Sequence, residues 1–237
     1  MTLSHQLNKE VVTPLASGEI KTKYSFRCGF SGIQHKVKKM DPLELAGSYD
    51  RIAEQWARDM ETSGYGLQMI ERAVKFCSKK ETALDVGCGS GGRVVNVLVT
   101  HGFRVKGIDI SDKMLQQARR LHSGVDFIKA NIMDWETEER FDLVVAWDSI
   151  FHLPLAAHDP VLKKLCSFLQ PGGILVYTLG DDTGEHSGMM YGQTLGYSSV
   201  GIVENLKILA ESRCQCRHLE LDQFPQKHVS LIARRME

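Results

Sequence analysis

Residues 83–92 read Ala-Leu-Asp-Val-Gly-Cys-Gly-Ser-Gly-Gly, a short apolar run that ends on a carboxylate and passes at once into a turn with four glycines. No other stretch constrains the fold as much. Gly87, Gly89 and Gly91 let the backbone take positive φ and come close to a ligand without Cβ collisions. Residues 93–99 then read as the first turns of a helix. A strand, a glycine turn and a helix N-terminus together form a cradle of the kind that holds nucleotides.

Downstream, apolar strands are expected at 82–87, 103–109, 125–129, 141–147 and 173–179, with helices at 91–101, 111–121 and 158–169. Strands separated by helices of this length imply right-handed βαβ units and a parallel sheet. A helix at about 199–212 follows, then strands at 215–221 and 227–234 with no helix between them, which should pair antiparallel. Upstream, Leu43, Leu45, Ala46, Tyr49, Ile52, Ala53 and Trp56 recur at helical spacing, and a second amphipathic stretch covers 66–78. The expected fold is α/β: a doubly wound, mostly parallel sheet with an antiparallel edge hairpin and an N-terminal helical extension. Residues 1–45 are expected to be a separate extension, either a lid or a partly ordered arm, and 46–237 the main domain.

Composition narrows the function classes. Lys+Arg and Asp+Glu both number 29, so no global field favours nucleic acid or membrane. No apolar run reaches the roughly 18 residues of a spanning helix. The first residues lack a basic-then-apolar leader pattern, and the six cysteines have no disulfide-type spacing, so reduced thiols and a cytoplasmic location are expected. Cys214, Cys216 and His218 would share one strand face; half-buried strand side chains explain them more simply than a metal site, and no metal is expected. The segment 21–39 is locally basic and free of acids: a solvated extension, or an arm that meets an anionic substrate or RNA.

The chemically informative residues cluster at expected strand ends, where open parallel sheets bind ligands. Asp109 follows the glycine turn by the ~20 residues at which an acid grips ribose hydroxyls. Asn131 and Ile132 follow the third strand, and Trp147, Asp148 and His152 follow the fourth. Gly87, Gly89 and Gly92 also fit a dinucleotide fingerprint. Asp85, however, puts a negative charge where a pyrophosphate would sit, which suits a ligand bearing an ammonium and a sulfonium better than a dianion. No Tyr-x-x-x-Lys pair is present for short-chain dehydrogenase chemistry.

The motifs Asp85-Val-Gly-Cys-Gly-Ser-Gly, Gly107-Ile-Asp-Ile-Ser, Phe141-Asp-Leu-Val-Val and Leu169-Gln-Pro-Gly-Gly-Ile-Leu resemble those of the class I S-adenosylmethionine-dependent methyltransferases. The resemblance covers about residues 45–237 and implies a seven-stranded sheet with S-adenosyl-L-methionine as cofactor. It implies that Asp85 favours the methionine ammonium, that Gly87, Cys88, Gly89 and Gly91 line the methionine and ribose part, and that Asp109 accepts from the ribose. Ile110, Met114 and Ile132 would flank adenine, and Asn131, where many relatives carry Asp, would meet its amino group. Trp147 and Asp148 would lie under the cofactor and Tyr49 over it, with Arg51 and Trp56 as weaker candidates.

Methyl transfer from a sulfonium is an in-line displacement in which positioning contributes much of the rate. A base is needed only when the acceptor arrives protonated. His152 is the first candidate, its pKa suiting pH 7; Asp148, Glu185 and His186 are reserves. The polar segment 180–191 is expected to be a flexible wall or lid of the acceptor pocket. The expected activity is methylation of N, O or S of a small-molecule metabolite. Three alternatives stay open: a tRNA or protein methyltransferase guided by the basic arm, a cofactor-binding subunit without activity, and a metalloid acceptor. A homodimer is a candidate assembly; neither membrane nor nucleic acid is expected as a partner.

Overall fold

The computed structural model describes residues 41–237; the basic segment 21–39 and most of the expected extension lie outside them. The first helix, α1 (Pro42–Glu61), starts where the sequence places its signals: Asp41 caps it by accepting from the N–H groups of Leu43 (2.8 Å) and Glu44 (3.2 Å), and Pro42 follows at the first position. After α2 (Leu67–Phe76) come β1 (Thr82–Val86), α3 (Arg93–Thr100), β2 (Arg104–Asp109), α4 (Asp112–Leu121), β3 (Asp126–Lys129) and β4 (Phe141–Ala146). The chain continues through α5 (His158–Ser167), β5 (Leu169–Gly180), β6 (Thr183–Met190), β7 (Gln193–Val200), α6 (Gly201–Glu211), β8 (Cys214–Glu220) and β9 (His228–Arg235).

Seven strands form one sheet in the order β3-β2-β1-β4-β5-β9-β8. β1 pairs in parallel with β2 and with β4, so the winding direction reverses between β1 and β4, and a crevice opens beyond their carboxyl ends. β9 enters antiparallel against β5, with Gly180 opposite His228. The start of β9 therefore lies at the same edge of the sheet as the ends of the parallel strands. The core has two faces, as period-two alternation requires: along β4 and at the residue after it, Leu143, Val145 and Trp147 pack with α2 and α3, while Val144 and Ala146 pack with α5 and α6.

Three local features depart from the sequence expectation. β5 begins at Leu169, so Pro171 and Gly172 (φ 77°) sit within it, accommodated where the register against β4 shifts between Phe141 and Leu143. The register of β8 likewise shifts between Cys216 and His218, which takes His218 out of strict alternation with Cys214 and Cys216. The largest departure is at 183–200, expected to begin as a flexible loop and found to be the β6–β7 hairpin. Its two-residue turn, Tyr191 (φ 48°) and Gly192 (φ 75°), has the double positive φ of a type I′ connection, whose twist matches the strands. The hairpin is anchored at its base: Ser198 Oγ donates to Leu153 O (2.6 Å) and lies 2.7 Å from His158 Nε2. It is anchored at its tip: Tyr191 OH donates to Asp59 (2.7 Å) and Arg51 Nε donates to Gln193 (2.6 Å), both across to α1.

α1 in turn docks on α4. Asp50 Oδ1 accepts from Ser111 Oγ (2.6 Å) and Lys113 N (3.0 Å), and Ile52 and Ala53 pack on Met114. α1, braced by the hairpin tip, thus makes a roof over the sheet crevice.

Candidate functional site

The glycine turn forms the floor of a cavity at the switch point. Gly87 N donates to Ile108 O (2.8 Å), and a Cβ at Gly87 (φ 73°) would overlap Ser149 Cβ, so only glycine lets the turn approach the end of β4 this closely. Asp109 ties the turn to β2: its Oδ2 accepts from Gly89 N (2.8 Å) and its Oδ1 from Ser111 N (2.8 Å). Burial raises the Asp109 pKa, while the N–H groups of Ser111, Gly89 and Ile110 pull it back.

Tyr49, Asp85, Gly87, Cys88, Gly89, Asp109, Ile110, Met114, Asn131, Ile132, Trp147, Asp148 and His152 all line this cavity. Gly91 does not join them. Its missing Cβ faces Ala118 on α4, where a methyl group would come within 2.8 Å of the Ala118 Cβ, so its bareness serves helix packing rather than ligand access. Asn131 lines the cavity while closing a turn: its Oδ1 accepts from Met133 N (3.1 Å) and its Nδ2 donates to Asp134 (3.0 Å). The Cys88 thiol is held protonated, raised by burial and then by the neighbouring charges of Asp109 and Asp85. Arg51 points away to Ser48 and Gln193, and neither Glu185 nor His186 reaches the cavity; His186 stacks on Tyr197.

Asp85 is buried, and its Oδ2 has no hydrogen-bond partner among the described residues. Burial, and then the charge of Asp109, push it up to about 7 against the opposing pull of Arg93. Trp147 Nε1, Asp148 Oδ2 and Ser149 Oγ are likewise buried and unpartnered, and all three residues line the same cavity. Polar atoms buried without partners are costly, so their convergence on one cavity marks a site built for a polar ligand.

His152 has a defined tautomer. Its Nδ1 lies 2.8 Å from the Gly196 carbonyl, which can only accept, so Nδ1 carries the proton and Nε2 the lone pair, which receives the Tyr49 hydroxyl at 2.7 Å. Burial lowers its pKa to about 4, overcoming the Gly196 bond and the nearby Asp148 charge. The expected pKa near neutrality is therefore not what the fold produces.

Several site residues escaped the sequence reading. Arg93 lines the cavity, lies over the Tyr65 ring (5.0 Å) and donates to Tyr65 O (2.6 Å). Behind Asp148, which has φ 51°, stands His228 at the start of β9, 3.1 Å from Asp148 Oδ1 through Nε2 and 2.6 Å from Asp222 Oδ1 through Nδ1. Both partners are carboxylates, so His228 donates from both nitrogens and is an imidazolium. Burial alone would lower its pKa, but the bonds to Asp148 and Asp222 and their charges raise it to about 9. The antiparallel entry of the last strand is the sequence signal that could have located His228.

Residues 83–173 match the family described as "Methyltransferase domain". Among curated proteins, a trans-aconitate 2-methyltransferase of Rhizobium rhizogenes is 33% identical over 115 residues, 48% of this chain and 44% of the relative. One from Rhodopseudomonas palustris is 36% identical over 108 residues, 45% and 41% of the two chains. The matches thus span less than half the length of these relatives. Among solved structures, the CcbJ methyltransferase of Streptomyces caelestis superposes with a TM-score of 0.66 at 14% identity, covering 83% of this chain and 100% of that one. An amino pentose methyltransferase from Micromonospora echinaspora, solved with S-adenosylmethionine bound, gives 0.62 at 17% identity over 77% and 96%. Residues 83–173 thus carry a methyltransferase-type domain, and the sheet order and glycine turn give the described residues the fold of S-adenosylmethionine-dependent methyltransferases.

Proposed function

We propose that this protein transfers a methyl group from S-adenosyl-L-methionine to N, O or S of a small-molecule metabolite. The observation that carries the reading is the buried, unpartnered Asp85 Oδ2 beside the glycine turn, an acceptor matched to an ammonium. Asp85 would hold the methionine ammonium, with the bare backbone at Gly87, Cys88 and Gly89 beside it. Asp109, whose carboxylate oxygens keep lone pairs beyond the bonds to Gly89 and Ser111, would accept from the ribose hydroxyls. Ile110, Met114 and Ile132 would flank adenine, Asn131 would meet its amino group, and Trp147 and Tyr49 would bracket the cofactor. Once bound, the cofactor supplies a methyl carbon already activated by its sulfonium.

The chain's own contribution is positioning and proton acceptance. His152 Nε2 is fixed as an acceptor by Gly196 and lies at the cavity wall next to Tyr49. With its pKa near 4, protonating it at pH 7 costs about 4 kcal/mol. His152 therefore acts mainly as an orienting acceptor for an acceptor X–H or for the Tyr49 hydroxyl, and as a base only for a proton made acidic during transfer. The relatives named for trans-aconitate raise a tricarboxylate as acceptor. Among the described residues the lining has Arg93 as its one Lys or Arg, against Asp85, Asp109 and Asp148, a balance that disfavours a polyanion.

We further propose residues 46–237 as the methyltransferase domain, with the basic segment 21–39 as an accessory arm. The five described cysteines are free, which fits a cytoplasmic location, and no helix of the described residues is long and apolar enough to cross a membrane. Light scattering tests the homodimer. Incubation with methyl-labelled cofactor and size-fractionated cell extract should label the small-molecule fraction; label confined to RNA or protein would overturn this reading.

A further inference from the structure

The pocket wall beyond the glycine turn carries an arrangement around Asp148 that the cofactor contacts proposed above do not use. Leaving β4, Trp147, Asp148 and Ser149 each bury an unpartnered polar atom at the cavity. Asp148 is anchored on the side away from the nucleoside half. Its N–H donates to Thr178 Oγ1 on β5 (2.9 Å), its Oδ1 receives His228 of β9 (3.1 Å), and Tyr65 OH donates to the same oxygen (3.4 Å). Tyr65 is itself fixed by Gln223 Nε2 (2.6 Å) and His228 by Asp222 Oδ1 (2.6 Å). Residues from four separate segments thus aim one carboxylate whose side chain is only 9% exposed, and leave its second oxygen without a hydrogen-bond partner among the described residues. The residues proposed for the nucleoside, Asp109, Ile110 and Asn131, belong to the opposite side of the switch point, after β2 and β3.

Charge identifies what the free oxygen receives. Asp148, Asp222 and the His228 imidazolium together carry one net negative charge; Arg93, whose charge Asp148 also feels, is held at the Tyr65 carbonyl and makes no hydrogen bond to the free oxygen. A buried carboxylate oxygen left without a hydrogen-bond partner is satisfied best by a charged N–H donor. We propose that Asp148 Oδ2 is the docking point for a basic amine on the methyl acceptor, and that His228 and Asp222 are positioning residues that hold it. The acceptor is then an amine-bearing small molecule, not a carboxylic acid. This rests on the methyltransferase reading above.

The test uses the full chain with methyl-labelled S-adenosylmethionine and a small-molecule extract, and sorts labelled product by ion exchange. It is run beside calorimetric titration of S-adenosylhomocysteine into each variant. The expected result is label retained on the cation exchanger in a species distinct from the unreacted donor, itself a cation, and absent when the protein is omitted. Asp148→Asn should reduce that label at least about tenfold, the worth of a charge-assisted bond, while S-adenosylhomocysteine affinity stays within about twofold. With the labelled amine purified, His228→Asn or, should that variant not fold, Asp222→Asn should raise its KM more than it lowers kcat. The same purified amine, titrated into the S-adenosylhomocysteine complex, should bind wild type and not Asp148→Asn. Label on the anion exchanger, or in the flow-through of both columns, overturns the amine. Loss of S-adenosylhomocysteine affinity in Asp148→Asn overturns the assignment by giving Asp148 to the cofactor. If wild type binds no S-adenosylhomocysteine, or binds it and labels nothing, the methyltransferase reading itself falls and takes the amine site with it.

Discussion

Asp85 and His228 are the two buried titratable groups whose pKa values carry opposite consequences for stability. Burial raises Asp85 from 3.8 to about 7, so its contribution to stability falls as pH climbs through that window, by about 4 kcal/mol once both folded and unfolded forms are ionised. Asp85→Asn should therefore raise the melting temperature of the cofactor-free protein at pH 8 while weakening cofactor binding, since the amide cannot match an ammonium. A lower melting temperature at pH 8 would contradict this. His228 is raised from 6.5 to about 9, so the stability it adds is fully present below pH 6.5 and is lost as pH rises through 9. Chemical denaturation of His228→Asn between pH 6.5 and 9 should show less loss of stability with pH than wild type. Asp85 was legible in the sequence because a carboxylate beside a glycine turn is a local pattern. His228 was not, because its significance comes from partners 80 and 6 residues away in the chain.

Among the elements, the parallel strands and their helices were readable because each carries its own apolar period and its own caps, as Ser111 does for α4 by accepting from Met114 N (3.1 Å). The β6–β7 hairpin was not. Its strand β6 has no buried residue and contains Gly184 and Gly188, and the hairpin is held by bonds from Ser198, Tyr191 and Gln193 to Leu153, His158, Asp59 and Arg51 rather than by the pattern of β6. By bracing α1, which roofs the cavity, the hairpin should control ligand exchange. Tyr191→Phe removes the hydroxyl bond to Asp59, worth ~1 kcal/mol. Stopped-flow measurement should show S-adenosylhomocysteine leaving roughly fivefold faster, with the melting temperature changed by no more than a few degrees. An unchanged off-rate would mean that the hairpin does not gate the site. At the hairpin base, Ser198→Ala removes the donor to Leu153 and should cost about 1–3 kcal/mol in denaturant unfolding.

For the whole molecule, one reversal of winding between β1 and β4 gathers Asp85, Asp109, and Asp148 with His152, from three distant segments, around one cavity. The order of these motifs along the chain pointed to that gathering, since ligand sites in doubly wound sheets follow strand order. What chain order could not supply was the division of labour: Asp109 also tying the turn, Gly91 turned to α4, His152 locked as a neutral acceptor. The central claim is that a carboxylate at the tip of β1 selects a cationic methyl donor over a phosphate-bearing coenzyme. Calorimetric titration of the full chain with S-adenosylmethionine and, separately, with NADH tests it most directly. The account predicts saturable binding of S-adenosylmethionine that weakens as pH falls below 7, and no heat from NADH; uptake of NADH with indifference to S-adenosylmethionine would contradict it.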